Sequence, residues 1–297
     1  MLAPTRSAMP SRSRRRSRAV ALALSLLVGL GSLAATTAAV SPAEAREGFS
    51  QPFTVATFNI LGASHTENPR RGFDTYPTRM RKTVRLINDK GFDIVGLQEY
   101  QKPQHELFVK LTAGSWGVYP GLEEGRRPVQ NSIVWRQDEW KVVEKRLYSI
   151  PYFYGNLVKQ PYIKLRNRAE GFEVWVINTH NPADSRGPAQ QYRNRAMAIQ
   201  VELANRLQQS GLPVFLVGDF NETSEAFCWI TGQTDLKAAN GGTWDGDQCR
   251  PPRGMRVDWV FLARRLPVLG FTDLYTDLTR QITDHHVIYS EVQAPVG

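Results

Sequence analysis

The chain has 297 residues and a formal net charge of +9 at pH 7. Six arginines and one glutamate precede residue 46, so the rest of the chain carries only +4. That mild charge argues against a protein dedicated to coating nucleic acid. Residues 46–297 contain no repeat, linker or second long apolar stretch. Their length suits one domain with a large core.

The first 45 residues have the pattern of a secretory signal peptide. Five arginines between positions 12 and 18 precede an apolar run from Ala19 to about Val40, and Ala43-Glu44-Ala45 follows. This order predicts cleavage after Ala45, a secreted product and no transmembrane segment in that product. The alternative is an uncleaved membrane anchor, because the apolar run is long enough to span a bilayer if tilted.

Two cysteines, Cys228 and Cys249, are predicted to form a disulfide, because an even cysteine count in an exported chain favours pairing. The 21-residue separation is rich in glycine, aspartate and asparagine and has little apolar content of its own. A bridge of this size stabilises a fold by about 3 kcal/mol. Two free, buried thiols are the alternative.

Short apolar runs predict eight strands between the signal peptide and the C-terminus. In chain order they cover residues 53–60, 92–98, 131–136, 140–148, 172–179, 213–218, 257–263 and 287–292. Only three residues separate the third run from the fourth, which predicts a hairpin between them. The nearly continuous apolar runs indicate strands that are buried on both faces.

Two helices are predicted between these strands. Apolar residues recur at steps of three and four across 188–209, while Arg193 and Gln200 lie off that stripe. A shorter stripe consists of Met80, Val84 and Ile87. Strands with interposed helices predict an α/β protein with mixed sheets.

Polar side chains lie at or next to the ends of several predicted strands. They are Asn59, Glu99, His180, Asp219 and the pair Asp284-His285. A buried strand has no structural need for such a group at its end, and a sheet fixes the geometry of groups placed there. One instance is commonly a turn residue, whereas five in one domain predict a catalytic site.

The oxygen-bearing residues of this set predict a divalent metal. Glu99, Asp219, Asn221 and Asp284 are hard ligands, and no cysteine cluster or paired-histidine zinc spacing accompanies them. Such ligands suit Mg²⁺, with Mn²⁺ or Ca²⁺ as alternatives, rather than Zn²⁺. A metal held in this way can polarise a phosphoryl oxygen and neutralise a leaving oxygen.

His285 is the predicted general base, because the pKa of histidine lies near neutrality. Asp258 could hold its imidazole in one tautomer, and Asn59 and Asn221 could donate amide N–H groups to charge that develops on phosphate. The sequence has no glycine-rich phosphate loop and no G-x-S-x-G motif, which argues against a P-loop enzyme or a serine hydrolase.

Six segments together resemble the endonuclease/exonuclease/phosphatase superfamily. They are Thr57-Phe58-Asn59-Ile60, Gly96-Leu97-Gln98-Glu99, Asn178-Thr179-His180, Gly218-Asp219-Phe220-Asn221, Val257-Asp258-Trp259-Val260 and Thr283-Asp284-His285-His286-Val287. They occur in the family's order over residues 53–292. Many relatives have Asp-His-x-Pro at the last motif, whereas this chain has no proline there.

The resemblance implies two mixed β-sheets packed as a sandwich, with helices on the outer faces, in a single catalytic domain of residues 46–297. It implies that Glu99 binds the metal with support from Asp284 and from the side-chain oxygen of Asn59, and that Asn59 also helps to hold the site and the phosphate. His180 would stabilise transition-state charge or protonate the leaving group. The remaining implied roles are water positioning by Asp219, phosphate contact by Asn221, and pairing of Asp258 with the base His285.

Family members divide the role of base differently between Asp219 and His285, so the resemblance leaves that assignment open. Arginines cluster at 70–71, 126–127 and 250–256, and we expect Arg126 and Arg253 to draw in an anionic substrate. The alternative is a solvated basic surface. His65 and His105 are expected to be ordinary surface residues.

The predicted function is that of a secreted, monomeric, metal-dependent phosphodiesterase, with a nuclease favoured over an enzyme that acts on phospholipid. A sphingomyelinase or another phospholipase-C-like enzyme is the main alternative, and it would need an exposed apolar hairpin for the bilayer surface. The aromatic-rich residues 148–154 are the candidate for such a hairpin. A metal-free binding protein with the same fold is the third alternative.

Overall fold

Two six-stranded sheets dominate the structure, a computed structural model that describes residues 48–67 and 72–296. Along the chain the strands are β1 (Gly48–Phe49), β2 (Phe53–Asn59), β3 (Ile94–Gln98), β4 (Trp116–Tyr119), β5 (Ser132–Arg136), β6 (Trp140–Pro151), β7 (Leu157–Asn167), β8 (Glu173–His180), β9 (Val214–Asp219), β10 (Leu236–Ala238), β11 (Thr243–Trp244), β12 (Cys249–Arg250), β13 (Asp258–Ala263), β14 (Val268–Leu274), β15 (Val287–Val292) and β16 (Pro295–Val296). The helices are α1 (Tyr76–Asp89), α2 (Lys102–Thr112), α3 (Gln190–Gln208), α4 (Ser224–Gln233) and α5 (Asp277–Arg280).

Both large sheets are mixed. The first has the order β14-β15-β2-β3-β5-β4, and the second has the order β10-β13-β9-β8-β7-β6. Each contains one parallel pair, β2 with β3 in the first sheet and β8 with β9 in the second. The sheets pack face to face, with β2 and β3 opposite β8, β9 and β13. The predicted α/β sandwich is confirmed.

Helices cover the outer faces of the sandwich. Met80 and Ile87 of α1 are buried in an apolar cluster that also contains Phe58 of β2. On the other side, Ala196 and Met197 of α3 are buried in the larger apolar cluster, and α3 packs on β6 and β9 of the second sheet. The apolar stripes of the sequence therefore mark the faces that the helices bury.

The prediction that the runs 131–136 and 140–148 pair as a hairpin is wrong. Strand β5 pairs with β3 and β4 of the first sheet, whereas β6 pairs with β7 of the second. The three intervening residues carry the chain from one sheet to the other. The hairpin partner of β6 is β7, which runs beside it from Trp140↔Asn167 to Pro151↔Leu157.

The helix α3 differs from a simple amphipathic helix because two of its off-stripe polar residues are buried. Arg193 binds Asp184 at 3.0 Å and also pairs with Glu222. The amide of Gln200 donates to Thr179 and Asn181 at 2.7 Å each. Both side chains are buried because they meet polar partners at the ends of β8 and β9, which apolar periodicity cannot indicate.

A buried polar network joins the two sheets. Gln98 donates to Asn178 at 2.7 Å, and Asn178 donates to the carbonyls of Leu97 and Ser132 at 2.9 and 3.0 Å. Gly96 makes room for it, since a Cβ there would lie 2.6 Å from Asn178 Oδ1. The network ties together the strands that end in the candidate site.

The described residues belong to one compact unit, Ala45–Gly297. The predicted signal peptide, residues 1–45, and the arginine pair at 70–71 lie outside the described residues. Within the described part of the chain, no helix is both long and apolar enough to cross a membrane.

Candidate active site

The carboxyl ends of the two parallel pairs bring the predicted polar residues together. Asn59 ends β2, and Glu99 follows β3 beside it. His180 and Asp219 end β8 and β9 in register with each other, and Asp258 opens β13 opposite Asp219. Because the sheets face each other, these ends meet at one edge of the sandwich.

The backbone at this edge adopts uncommon conformations. Glu99 and Asn221 have φ angles of 56° and 52°, in the left-handed region that non-glycine residues rarely use. Gly218 has a φ of 151°, and a Cβ there would lie 2.1 Å from the carbonyl oxygen of Thr179. Such conformations are typical of functional sites, where the surrounding structure holds the strain.

Asn59 is the centre of the hydrogen-bond network. Its Nδ2 donates to Glu99 Oε1 at 3.2 Å and to Asp219 Oδ2 at 3.1 Å, and it lies 3.4 Å from His285 Nε2. Its Oδ1 accepts from the backbone N–H of Leu61 at 3.1 Å. Asn59 therefore turns donors, not its oxygen, toward the carboxylates, and in this arrangement it does not offer the metal-binding oxygen that we predicted.

His285 and Asp258 form the predicted pair. His285 Nδ1 and Asp258 Oδ2 are 2.8 Å apart, and His285 Nε2 lies 3.8 Å from Asp219 Oδ2. Burial acts to lower the pKa of His285, but the carboxylates of Asp258 and Asp219 outweigh it and raise that pKa. Burial also raises the pKa of Asp258, while the neighbouring imidazole opposes that rise.

Glu99 is held as a carboxylate. Burial acts to raise its pKa, but hydrogen bonds from His65 and from the backbone N–H of Gly62, with the charge of His180, lower it well below its usual range. The distances to Glu99 Oε2 are 3.2 Å from His65 Nε2 and 2.8 Å from Gly62 N. The expectation that His65 is an ordinary surface residue is therefore wrong. Its sole signal in the sequence is its position six residues after Asn59.

His180 and Asn221 complete the cluster around Asp219. His180 Nε2 is 3.4 Å from Asp219 Oδ2, and the His180 main-chain N–H donates to Gln160. The backbone N–H of Asn221 donates to Asp219 Oδ1 at 2.9 Å, and its Nδ2 donates to the Asn181 carbonyl at 2.8 Å. Asp219 is thus fixed from several sides.

The structure separates Asp284 from this hydrogen-bonded cluster. Its side chain is exposed, although its charge acts on Arg79 and His285. Its predicted part in metal binding stays a prediction. His105 is also not an ordinary surface residue, since it is half-buried with its ring edge-on to Tyr100, and burial lowers its pKa.

The donor set fits a hard divalent cation. Among the described residues, ligand atoms of Asp219, Asp258 and His285 lie within 4.8 Å of one another. An ion among all three would displace the Asp258–His285 hydrogen bond. Glu99 is the better anchor, because its carboxylate stays ionised and Mg²⁺ needs only one or two carboxylates beside water and phosphate.

A cleft of about 760 Å³ opens beside His180. Arg126 lines it, as does the aromatic segment around Tyr152 at the tip of the β6–β7 hairpin. Arg253 is exposed on the loop before β13 and does not line this cleft. Its predicted contact with substrate stays a prediction.

The predicted disulfide is present. Cys228 of α4 and Cys249 of β12 are joined, with their Cα atoms 5.5 Å apart. It fastens the glycine-rich segment that carries β11 and β12 to helix α4.

Solved structures with the same fold come from distant relatives. An endonuclease/exonuclease/phosphatase from Bacteroides vulgatus has 18% identity and a TM-score of 0.65, over 82% of this chain and 100% of that chain. The human Nocturnin catalytic domain with bound sulfate has 18% identity and a TM-score of 0.64, over 84% and 97%. D. rerio TDP2 in complex with a single-strand DNA product has 15% identity and a TM-score of 0.59, over 82% and 99%.

Identities this low show the fold alone, and no curated protein matches the chain. A family model is more informative. The model described as the Endonuclease/Exonuclease/phosphatase family matches residues 56–285, which is most of the chain and includes the strand-end residues described above. Members of that family hydrolyse phosphoester bonds and generally use divalent metals. The chain therefore belongs to the endonuclease/exonuclease/phosphatase family.

Proposed function

We propose that this protein is an exported, divalent-metal-dependent phosphodiester hydrolase that acts on nucleic acid. One observation carries the proposal. Asn59 hydrogen-bonds both Glu99 and Asp219 and lies against His285, so a metal-binding carboxylate, a second carboxylate and a base share one cluster.

In this proposal His285 is the general base. Its Nδ1 is occupied by Asp258, so Nε2 is the nitrogen that takes a proton from the attacking water. Asp258 fixes the tautomer and stabilises the imidazolium that forms, as a buried carboxylate does behind a catalytic histidine. Asp219 lies within 3.8 Å of Nε2 and orients the water between them.

His180 lies on the other side of Asp219 and faces the cleft. It stabilises charge on the phosphoryl oxygens or gives a proton to the leaving oxygen. Asn221 holds Asp219 through its backbone N–H and contributes to the phosphate side of the site.

Glu99 would hold the cation, which supplies Lewis-acid stabilisation of the phosphoryl charge. Mg²⁺ is the expected ion, with Mn²⁺ or Ca²⁺ as substitutes. Asn59 positions Glu99 relative to Asp219, and Gly62 and His65 occupy the other oxygen of Glu99. Asp284, exposed beside His285, would support the metal through its charge.

Charge around the site favours nucleic acid as the substrate. Four cationic side chains, Arg126, Arg127, Lys159 and Arg186, line the cleft beside His180, against one acid, Glu124. The solved structure of D. rerio TDP2 with a single-strand DNA product lends support, since it has the same fold. The disulfide supports export, because such bonds persist in oxidising compartments.

A phospholipase-C-like activity is the second candidate. It is favoured by Tyr154 and Leu157, which are each 71% exposed at the tip of the hairpin beside the cleft. Exposed apolar side chains at such a tip can enter a bilayer surface.

The test is an assay of the protein from residue 46 onward on four substrates, each with Mg²⁺ and with excess EDTA. The substrates are single-stranded DNA, double-stranded DNA, sphingomyelin vesicles and bis(p-nitrophenyl) phosphate. We expect Mg²⁺-dependent cleavage of DNA at least about tenfold faster than cleavage of sphingomyelin, since tenfold corresponds to about 1.4 kcal/mol of transition-state discrimination. Faster cleavage of sphingomyelin would establish the second candidate. No cleavage of any substrate in Mg²⁺ would indicate a binding protein.

A further inference from the structure

The cleft beside His180 has two walls. One is the tip of the β6–β7 hairpin, and the other is the loop that contains Arg126 and Arg127. We call this space the hairpin cleft. At about 760 Å³ it lies within the range of about 300–1,000 Å³ that is typical of small-ligand sites.

The hairpin tip is built to hold its shape. The Tyr152 N–H donates to the Asn156 carbonyl at 2.8 Å, and the Gly155 N–H donates to the Tyr152 carbonyl at 2.9 Å. Tyr154 has a φ of 58° between them, and Gly155 lies against the Tyr192 ring of α3. The tip therefore presents its side chains from a preorganised turn, which lowers the entropic cost of binding.

The aromatic rings form a path from the catalytic cluster to solvent. The Tyr152 ring centroid is 6.0 Å from that of His180 and 4.5 Å from that of Phe153. Tyr154 follows Phe153 in the sequence, lines the same cleft and is 71% exposed. An aromatic side chain left in water beside a reaction centre offers a free face to another π-system.

The charges in the hairpin cleft are unbalanced. Glu124 is the one acidic residue that lines the cleft, and its carboxylate pairs with Lys159 at 3.6 Å. No carboxylate of the described residues pairs with Arg126, Arg127 or Arg186. The Arg186 guanidinium lies 5.4 Å from the Phe153 ring centroid, so an arginine and an aromatic face stand together.

We propose that the hairpin cleft binds an unpaired nucleotide next to the scissile phosphate, and that the preferred substrate is single-stranded nucleic acid. Tyr154 stacks on the base, and Arg126, Arg127 and Arg186 contact the adjoining phosphates. Alternating aromatic and cationic contacts are how proteins bind single strands without sequence preference. A base within a duplex is already stacked and paired, so it cannot reach Tyr154 without being flipped out.

This proposal rests on the proposed nuclease function and names its substrate class. Charge argues for nucleic acid over a lipid surface as the occupant. A bilayer-entering hairpin needs a continuous apolar tip, whereas here Tyr154 and Leu157 stand among the cleft's arginines and Lys159.

The experiment measures kcat/KM on three labelled DNA substrates in Mg²⁺. They are a single strand, its blunt duplex, and the same single strand with its central bases replaced by abasic spacers. The proteins are wild type, Tyr154→Ala, Tyr154→Phe and the control Leu269→Ala. Leu269 is 49% exposed on β14, so its truncation also removes an exposed apolar side chain.

We expect wild type to cleave the single strand at least about fivefold faster than the duplex, since the loss of one stacked base is worth about 5- to 150-fold. Tyr154→Ala should lose about 5- to 150-fold in kcat/KM on the normal single strand and clearly less on the abasic strand. Tyr154→Phe should retain most of the activity, because it keeps the ring. Leu269→Ala should match wild type on all three substrates.

Equal losses for Tyr154→Ala on the normal and abasic strands would overturn the stacking proposal. So would equal cleavage of single strand and duplex. Those results leave the nuclease function standing, because DNA is still cleaved. Absence of cleavage of all three DNAs, with Mg²⁺-dependent cleavage of sphingomyelin vesicles that Tyr154→Ala and Leu157→Ser both weaken, would instead overturn the nuclease function itself.

Discussion

At the scale of single residues, Asp258 raises the pKa of His285 through a direct contact. Asp258 is almost fully buried and its Oδ2 is 2.8 Å from the imidazole. A buried carboxylate beside a histidine favours the protonated ring, so the pKa of His285 is raised from its ordinary value of 6.5. A base must be neutral to accept a proton, so activity should increase with pH through this raised pKa.

The variant Asp258→Asn removes the charge that raises the pKa of His285. The acid limb of the kcat/KM profile should therefore move to lower pH. The value of kcat should fall by about 10²- to 10⁴-fold, because the ring loses its fixed tautomer. The measurement is a pH profile of both proteins in saturating Mg²⁺. An acid limb that stays in place, or moves to higher pH, would show that Asp258 does not control His285.

The sequence predicts the identity of the site residues better than their orientation. Glu99, Asp219 and His285 come together because strands of known direction end at them. The orientation of Asn59 depends on the backbone N–H of Leu61, which donates a hydrogen bond to Asn59 Oδ1. His65 reaches Glu99 because a short turn follows that strand. Apolar periodicity in the sequence predicts neither of these two contacts.

At the scale of elements, Arg79 joins two loops that flank the site. This residue of α1 is 1% exposed. Its guanidinium donates to the carbonyls of Ile60, Leu61 and Ile282 at 2.7, 2.8 and 3.0 Å. It thereby ties the segment after β2 to the segment that leads to His285.

Arg79→Ala should lower the free energy of unfolding by at least about 3 kcal/mol, because several buried carbonyls lose their donor at once. Arg81→Ala is the matched control. Arg81 is on the same helix but exposed, so its loss should stay within about 0.5 kcal/mol. Urea unfolding of both variants measures the difference. Similar stabilities for the two variants would contradict the role given to Arg79.

The disulfide fastens one element to a segment with little core of its own. Replacing both Cys228 and Cys249 with serine should lower the free energy of unfolding by about 3 kcal/mol. Chemical unfolding of the variant, compared with the oxidised wild type, measures this loss. An unchanged midpoint would mean that the segment between these positions holds itself by other contacts.

The sequence predicts most core strands but not all pairings. Strands β2, β3, β8, β9, β13 and β15 are apolar runs and were found close to their predicted bounds. Strand β7 alternates weakly around Pro161, so the apolar pattern predicts neither this strand nor its hairpin with β6. A three-residue separation suggests a hairpin, but it cannot show that the chain crosses from one sheet to the other at that point.

At the scale of the whole molecule, the sandwich explains why residues from both halves of the chain form one site. Each sheet has one parallel pair, and the carboxyl ends of both pairs lie at the same edge. The hydrogen bond from Asn59 to Asp219 spans the two sheets directly. The cationic hairpin cleft opens beside that edge, although the chain from residue 46 onward carries a formal charge of only +4.

In the proposed mechanism, a cation held by Glu99 enables phosphodiester hydrolysis. The most direct measurement is the rate of single-stranded DNA cleavage in Mg²⁺, in excess EDTA and after Mg²⁺ is restored, for wild type and Glu99→Gln. We predict that EDTA abolishes the wild-type rate, that Mg²⁺ restores it, and that Glu99→Gln stays folded but at least about 10²-fold slower at any Mg²⁺ concentration. Cleavage by wild type that is equally fast in excess EDTA would show that hydrolysis does not depend on a cation at Glu99.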